Sequence, residues 1–230
     1  MATVNGAIPI RKPLSPKGLP HASGKHRMRA AERRQNLIAV ASRLFATHGF
    51  RGTTTKAIAE GAGISEAVIF RHFRAKEDLY AAILREKARQ DGYDDMMRAV
   101  QNYALRDEDE NLIRHFILTT LENFQRDPNF HRMMMFAALE KHEFGRIARR
   151  IFGLPLSEFL RNYVERRQKA GVFRKGDPKL LAFSIMALPL HFAMVTQVFG
   201  VKRVKASNRS LADAFTRILL TGLYAQKSPA

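Results

Sequence analysis

Apolar residues recur along this 230-residue chain with the period of a helix and almost nowhere with that of a strand. Leu37, Ile38, Ala41, Leu44 and Phe45 fall at i, i+1, i+4, i+7 and i+8, one stripe of an amphipathic helix. Gly49 ends the stripe, with His48 in the last turn, where partial positive charge suits the helix dipole. Thr53 and Thr54 are N-cap residues for a short second helix that turns Ala57, Ile58 and Ala59 inward. Gly61-Ala62-Gly63 breaks it, and Ser65-Glu66-Ala67-Val68 opens a third helix with a cap and an early acid. A fourth begins at Ala75-Lys76-Glu77-Asp78-Leu79-Tyr80.

Beyond it the pattern predicts helices over 76–104, 109–126, 129–140, 142–153, 155–170, 177–199 and 207–225. Asp107 to Glu110 is an acidic opening, Asp127-Pro128 divides two helices, and Gly153 with Pro155 divides two more. Gly171 is a C-terminal stop, and Asp177-Pro178 restarts the chain with Asp as N-cap and Pro at N1. The expected fold class is all-α. Its parts are a basic tail at 1–28, a helix-turn-helix domain at 29–75, and a helical effector-binding and dimerisation bundle at 76–230.

Charge sharpens this picture. The chain carries 39 Lys+Arg against 21 Asp+Glu, a formal net of +18, which calls for a polyanionic partner. Residues 1–80 hold half of that excess in about a third of the length, and 1–31 contain no acid at all. Pro9, Pro13, Pro16 and Pro20 break periodicity there, so the stretch reads as a disordered tail, either solvated or following DNA phosphates. It lacks the apolar run of a secretory signal, which leads us to expect a cytoplasmic protein. The absence of cysteine excludes disulfides, thiolate zinc sites and cysteine nucleophiles.

Two short helices around a glycine turn in a basic region describe a helix-turn-helix, whose second helix can enter a major groove about 12 Å wide. The residues go further. Phe45, Gly49-Phe50, Gly52-Thr53-Thr54, Ala57-Ile58-Ala59, Ala62-Gly63-Ile64-Ser65, Ile69-Phe70, Phe73 and Lys76-Glu77-Asp78-Leu79 keep a spacing that resembles the TetR/AcrR family of transcriptional regulators over about 45 residues. Ala170 to Phe173, Arg174 and Asp177-Pro178 resemble that family's linker into its penultimate helix. The resemblance implies a DNA-binding homodimer on an inverted-repeat operator of double-stranded DNA, acting by default as a repressor.

It also implies roles. Thr54, Thr55 and Lys76 match phosphate contacts, Lys56 a position that can reach a base, and Ser65, Glu66 and Ala67 the leading end of the recognition helix. Arg71 and His72 match its groove- and phosphate-facing side. Phe70 stands where the family usually has tyrosine, leaving an apolar contact with a thymine methyl in place of a hydroxyl. Glu66 can accept from cytosine N4 or favour the helix N-terminus.

The C-terminal chemistry is sparser. Leu180 to Val201 is 22 residues without Lys, Arg, Asp or Glu, long enough to cross a bilayer. Ser184, Pro189, His191, Thr196 and Gln197 interrupt it, so a buried dimer interface shared with helix 155–170 is expected and no membrane partner. Phe116, Met133, Phe136, Met186 and His191 are candidates for a pocket holding a small apolar or amphipathic effector, although such Met and Phe positions also describe an ordinary core. No dinucleotide, P-loop, zincin or serine-hydrolase motif is present, so neither a cofactor nor a metal is expected, nor an enzyme. The remaining alternatives are a ligand-independent DNA-binding dimer answering to a protein partner, and an all-α enzyme acting on anionic substrates.

Overall fold

The computed structural model describes residues 30–224 except 91, 141–142 and 202–204; the basic tail at 1–28 lies outside the described residues. The helices are α1 (Ala30–Gly52), α2 (Thr55–Ala62), α3 (Glu66–His72), α4 (Lys76–Gln90), α5 (Tyr93–Leu105), α6 (Asp109–Arg126), α7 (Pro128–Leu139), α8 (Glu143–Ala148), α9 (Leu154–Lys169), α10 (Pro178–Ala193) and α11 (Asn208–Leu223). The chain is all-α: the described β pairing is one isolated bridge between Phe173 and Tyr224.

Two apolar cores organise it. The first joins α1 to α4: Leu37, Ile38, Ala41 and Phe45 bury the predicted stripe against Ile58, Ile69 and Phe73. It runs on to Leu84 within α4, so the boundary expected at residue 75 falls inside it. It also takes in Phe130, Met133 and Ala137 of α7, which docks the N-terminal module onto the rest of the chain. The second core is built from α5, α6, α9, α10 and α11 around Leu112, Phe116, Leu160, Val164 and Ile185.

Local chemistry explains most helix ends. Asp127 accepts from Phe130 N at 3.1 Å with Pro128 at the first turn of α7, and Asp177 accepts from Lys179 N at 2.8 Å before Pro178. Gly49 sits at φ +70°, ψ −179°, a conformation open essentially only to glycine; one further turn follows it to Gly52.

Three expectations change. Helix 76–104 is two helices, because Gly92 enters the left-handed region at φ +68°. Gly153-Leu154-Pro155 does not divide helices: Arg149–Gly153 form a π-helical turn that carries α8 into α9. Pro155 has no N–H and its ring crowds the carbonyl four residues back, which the wider turn relieves. Helix α9 does not offer an apolar face for dimerisation, since Leu156, Leu160, Tyr163 and Val164 are buried inside the bundle. Its Arg167 forks onto Asp109 at the start of α6 at 2.7 and 2.8 Å, with the Tyr163 hydroxyl donating to the same carboxylate. The uncovered apolar side chains towards the C-terminus include instead Leu180 and Phe183 of α10, Ile218 of α11, and Phe199. Pro178–Val198 is long and apolar enough to cross a membrane, and 22% of its 18-residue apolar window is buried within the chain.

Candidate nucleic-acid interface and effector cavity

Helices α2 and α3 are held as a rigid pair. Thr54 Oγ1 accepts from Ala57 N at 3.1 Å and caps α2, whereas Thr53 turns inward and donates to Gly49 O at 2.7 Å. Gly63, at φ +66°, closes α2 by donating to the carbonyl of Glu60 at 3.1 Å. Ser65 has extended N-cap dihedrals, but its hydroxyl makes no cap hydrogen bond. Thr55 Oγ1 donates to Glu66 Oε1 at 3.4 Å, linking the two helix starts, and Glu66 stands in the first turn of α3, where the dipole favours it.

With Ile69 and Phe73 anchored in the core, one face is left in solvent. Thr54, Lys56, Ser65, Ala67, Phe70, Arg71 and His72 are all exposed on it, and Phe70 is 49% exposed in spite of its ring. Thr55 and Glu66 are half-buried.

Lys76 departs from expectation. Its ammonium donates to Phe50 O at 2.7 Å and Thr53 O at 2.8 Å and lies 4.0 Å from the centre of the Phe50 ring. Burial lowers its pKa, partly offset by Glu77 and Glu140. The side chain sews α4 to the turn between α1 and α2, an arrangement that serves positioning of the module and turns the ammonium inward.

A cavity of about 240 Å³ opens among α5, α6, α7, the π turn and α10. Of the five expected lining residues, Phe116 and Met186 face it. Met133 and Phe136 do not: Met133 is buried in the first core, where its carbonyl accepts from the Tyr80 hydroxyl at 3.0 Å, and Phe136 packs on Gly49. His191 is exposed. The helical period put all three on apolar-looking helices, but it does not say which neighbour each face meets.

The unforeseen lining residues include Tyr93, Asn123, His131 and Phe152. Tyr93 donates to Phe152 O at 2.8 Å, and burial pushes its phenol up to about 12. His131 lies against Phe124 and is held down at about 4, mainly by burial, so it is neutral at physiological pH. Spacing carried a partial signal, since His131 and Met134 are three apart on α7 and share one side.

Residues 37–83 match the family described as bacterial regulatory proteins, tetR family. The transcriptional repressor AcnR of Corynebacterium diphtheriae is 45% identical over 56 residues, 24% of this chain and 30% of its own length. The chain thus aligns with less than a third of that relative. The TetR-family regulator PfmR of Thermus thermophilus superposes at a TM-score of 0.65 with 18% identity, over 86% of this chain and 100% of its own. AibR, solved with isovaleryl coenzyme A and operator DNA, superposes at 0.59 with 19% identity, over 84% and 100%. Residues 37–83 thus carry the N-terminal module of the tetR family of bacterial regulatory proteins, and the all-helical fold of the chain is that of the TetR-family regulator PfmR.

Proposed function

We propose that the protein is a homodimeric transcriptional repressor of the bacterial cytoplasm, bound to an inverted-repeat operator through α3 and released when a small apolar molecule enters the α5–α10 cavity. The observation that carries the reading is the exposed set Lys56, Ala67, Phe70, Arg71 and His72 on a fully packed two-helix scaffold. Lys56 and Arg71 can donate to guanine, Phe70 and Ala67 can meet a thymine methyl, and Thr54 and His72 can reach phosphate. AcnR, a repressor, and AibR, solved with operator DNA, support the same reading for the module they share in sequence or fold.

Dimerisation brings two α3 helices to successive major grooves, and the uncovered Leu180, Phe183 and Ile218 are the surface for it. Two copies of α10 and α11 would bury these side chains as a four-helix interface. The route from cavity to DNA runs through α7: His131 and Met134 line the cavity, while Met133, Phe136 and Ala137 hold the N-terminal module. A ligand that moves α7 moves the module with it, and it weakens DNA binding only as far as it prefers that moved state. The break at Gly92 makes α7 a better lever than α4.

The test is retardation of fragments of the source genome by the purified protein, followed by footprinting. An inverted-repeat footprint that disappears with Arg71→Ala supports the reading. Fragments bound without sequence preference, equally by that variant, would defeat it.

A further inference from the structure

Three polar side chains on the cavity wall, Thr120, Asn123 and His131, offer acceptors to its interior. Asn123 Oδ1 is buried with no hydrogen-bond partner, an unusual state for an amide oxygen inside a protein. Thr120, also on the wall, uses its hydroxyl proton on Phe116 O at 2.8 Å, which leaves it only lone pairs to offer. His131 is held in its neutral form, in which one ring nitrogen is an acceptor. No Lys, Arg, Asp or Glu is among the lining residues. Lys87, whose charge is felt at His131, is paired with Asp127. The rest of the wall is aromatic and thioether: Phe116, Phe124, Phe130, Phe152, Met134 and Met186.

Resting on the effector reading above, we infer that the cavity takes a neutral ligand that donates a hydrogen bond, a phenol or alcohol on an apolar body, and rejects anions. A donor satisfies the orphaned Asn123 oxygen, whereas an ether in the same place leaves it unpaired. A carboxylate would lose its hydration and meet the lone pairs of Asn123 Oδ1 and Thr120, with no cation on the wall to pair it. The volume matches roughly eight waters at about 30 Å³ each, which is room for one substituted ring. The six apolar side chains would hold that ring, and Met134 and Met186 can repack around its substituent.

Calorimetric titration of the full chain with para-butylphenol, para-butylanisole and para-butylbenzoate tests this. The phenol should bind about tenfold more tightly than the anisole, the gain of one hydrogen bond over an unsatisfied acceptor, and the benzoate should not bind. In Asn123→Leu the anisole should match the phenol; if that variant does not fold, the order of the three probes on the wild type decides alone. Anisole or benzoate binding as well as the phenol, with Met186→Trp abolishing it by filling the space, would overturn the donor rule while leaving the effector cavity standing. Failure of all three probes to bind or to raise the melting temperature would overturn both.

Discussion

His131 lies flat on Phe124, with ring centroids 3.5 Å apart and planes 4° from parallel. The imidazole is half-buried there and kept neutral, its pKa lowered to about 4 from 6.5, chiefly by desolvation. The unfolded chain therefore takes up a proton on this residue before the folded chain does. Stability from this site is intact above pH 6.5 and drains away as pH falls towards 4, by about 3 kcal/mol in all. His115, also lowered by burial, adds a loss of the same sign. Thermal melting of the wild type and of His131→Phe between pH 7 and 4 checks this: the variant keeps its stacking partner and should show the shallower decline.

Lys76 anchors the module from within, so Lys76→Met should remove two charge-assisted hydrogen bonds and destabilise the protein by about 2 kcal/mol. Its salt dependence of DNA binding should stay at the wild-type slope, whereas loss of a phosphate contact would reduce that slope by about one. Melting curves and a salt titration of operator affinity separate the two.

Gly49 lies where a Cβ would run into the Glu140 carboxylate and sit 3.2 Å from Phe136. Glu140 Oε1 also accepts from Arg51 N at 3.4 Å, so this corner joins α7 to the end of α1. Gly49→Ala combines a glycine-only backbone with that collision and should cost about 2 kcal/mol or more. Lower melting temperature and weaker DNA binding with an unchanged dimer are the expected results.

Phe183→Asp places a charge on the uncovered face of α10, where Phe183 is 66% exposed in the single chain. Sedimentation at micromolar concentration should give about twice 26.1 kDa for the wild type and a species nearer the single-chain mass for the variant.

The parts of this molecule readable in its sequence are those decided within a few residues. The Thr54 cap, the Asp127-Pro128 and Asp177-Pro178 starts, and the span Asp109–Arg126 depend on local hydrogen bonds and period, and they stand where expected. Gly92 carried a turn signal within the polar run 85–95, which a single helix drawn across 76–104 passed over. What spacing could not resolve is which neighbour a helix face meets. Met133 and Phe136 share α7 with His131, yet they face the DNA-binding module and not the cavity, a division set by how α7 packs on α1. Lys76 shows the same limit: a lysine at a helix start reads as a surface cation until the carbonyls of Phe50 and Thr53 come within its reach.

The central claim is that α2 and α3 read a specific sequence through Lys56 and Arg71, both of which stand in solvent on the face left by the buried Ile58 and Ile69. Each should contribute about 1–3 kcal/mol of discrimination at its own base pair. Selection from random duplexes with the wild type, Lys56→Ala and Arg71→Ala tests it most directly. The wild type should recover an inverted repeat whose half-site centres lie about one helical turn or a multiple of it apart, and each variant should lose preference at one position per half-site. Recovery of the wild-type repeat, unchanged, by both variants would contradict the account.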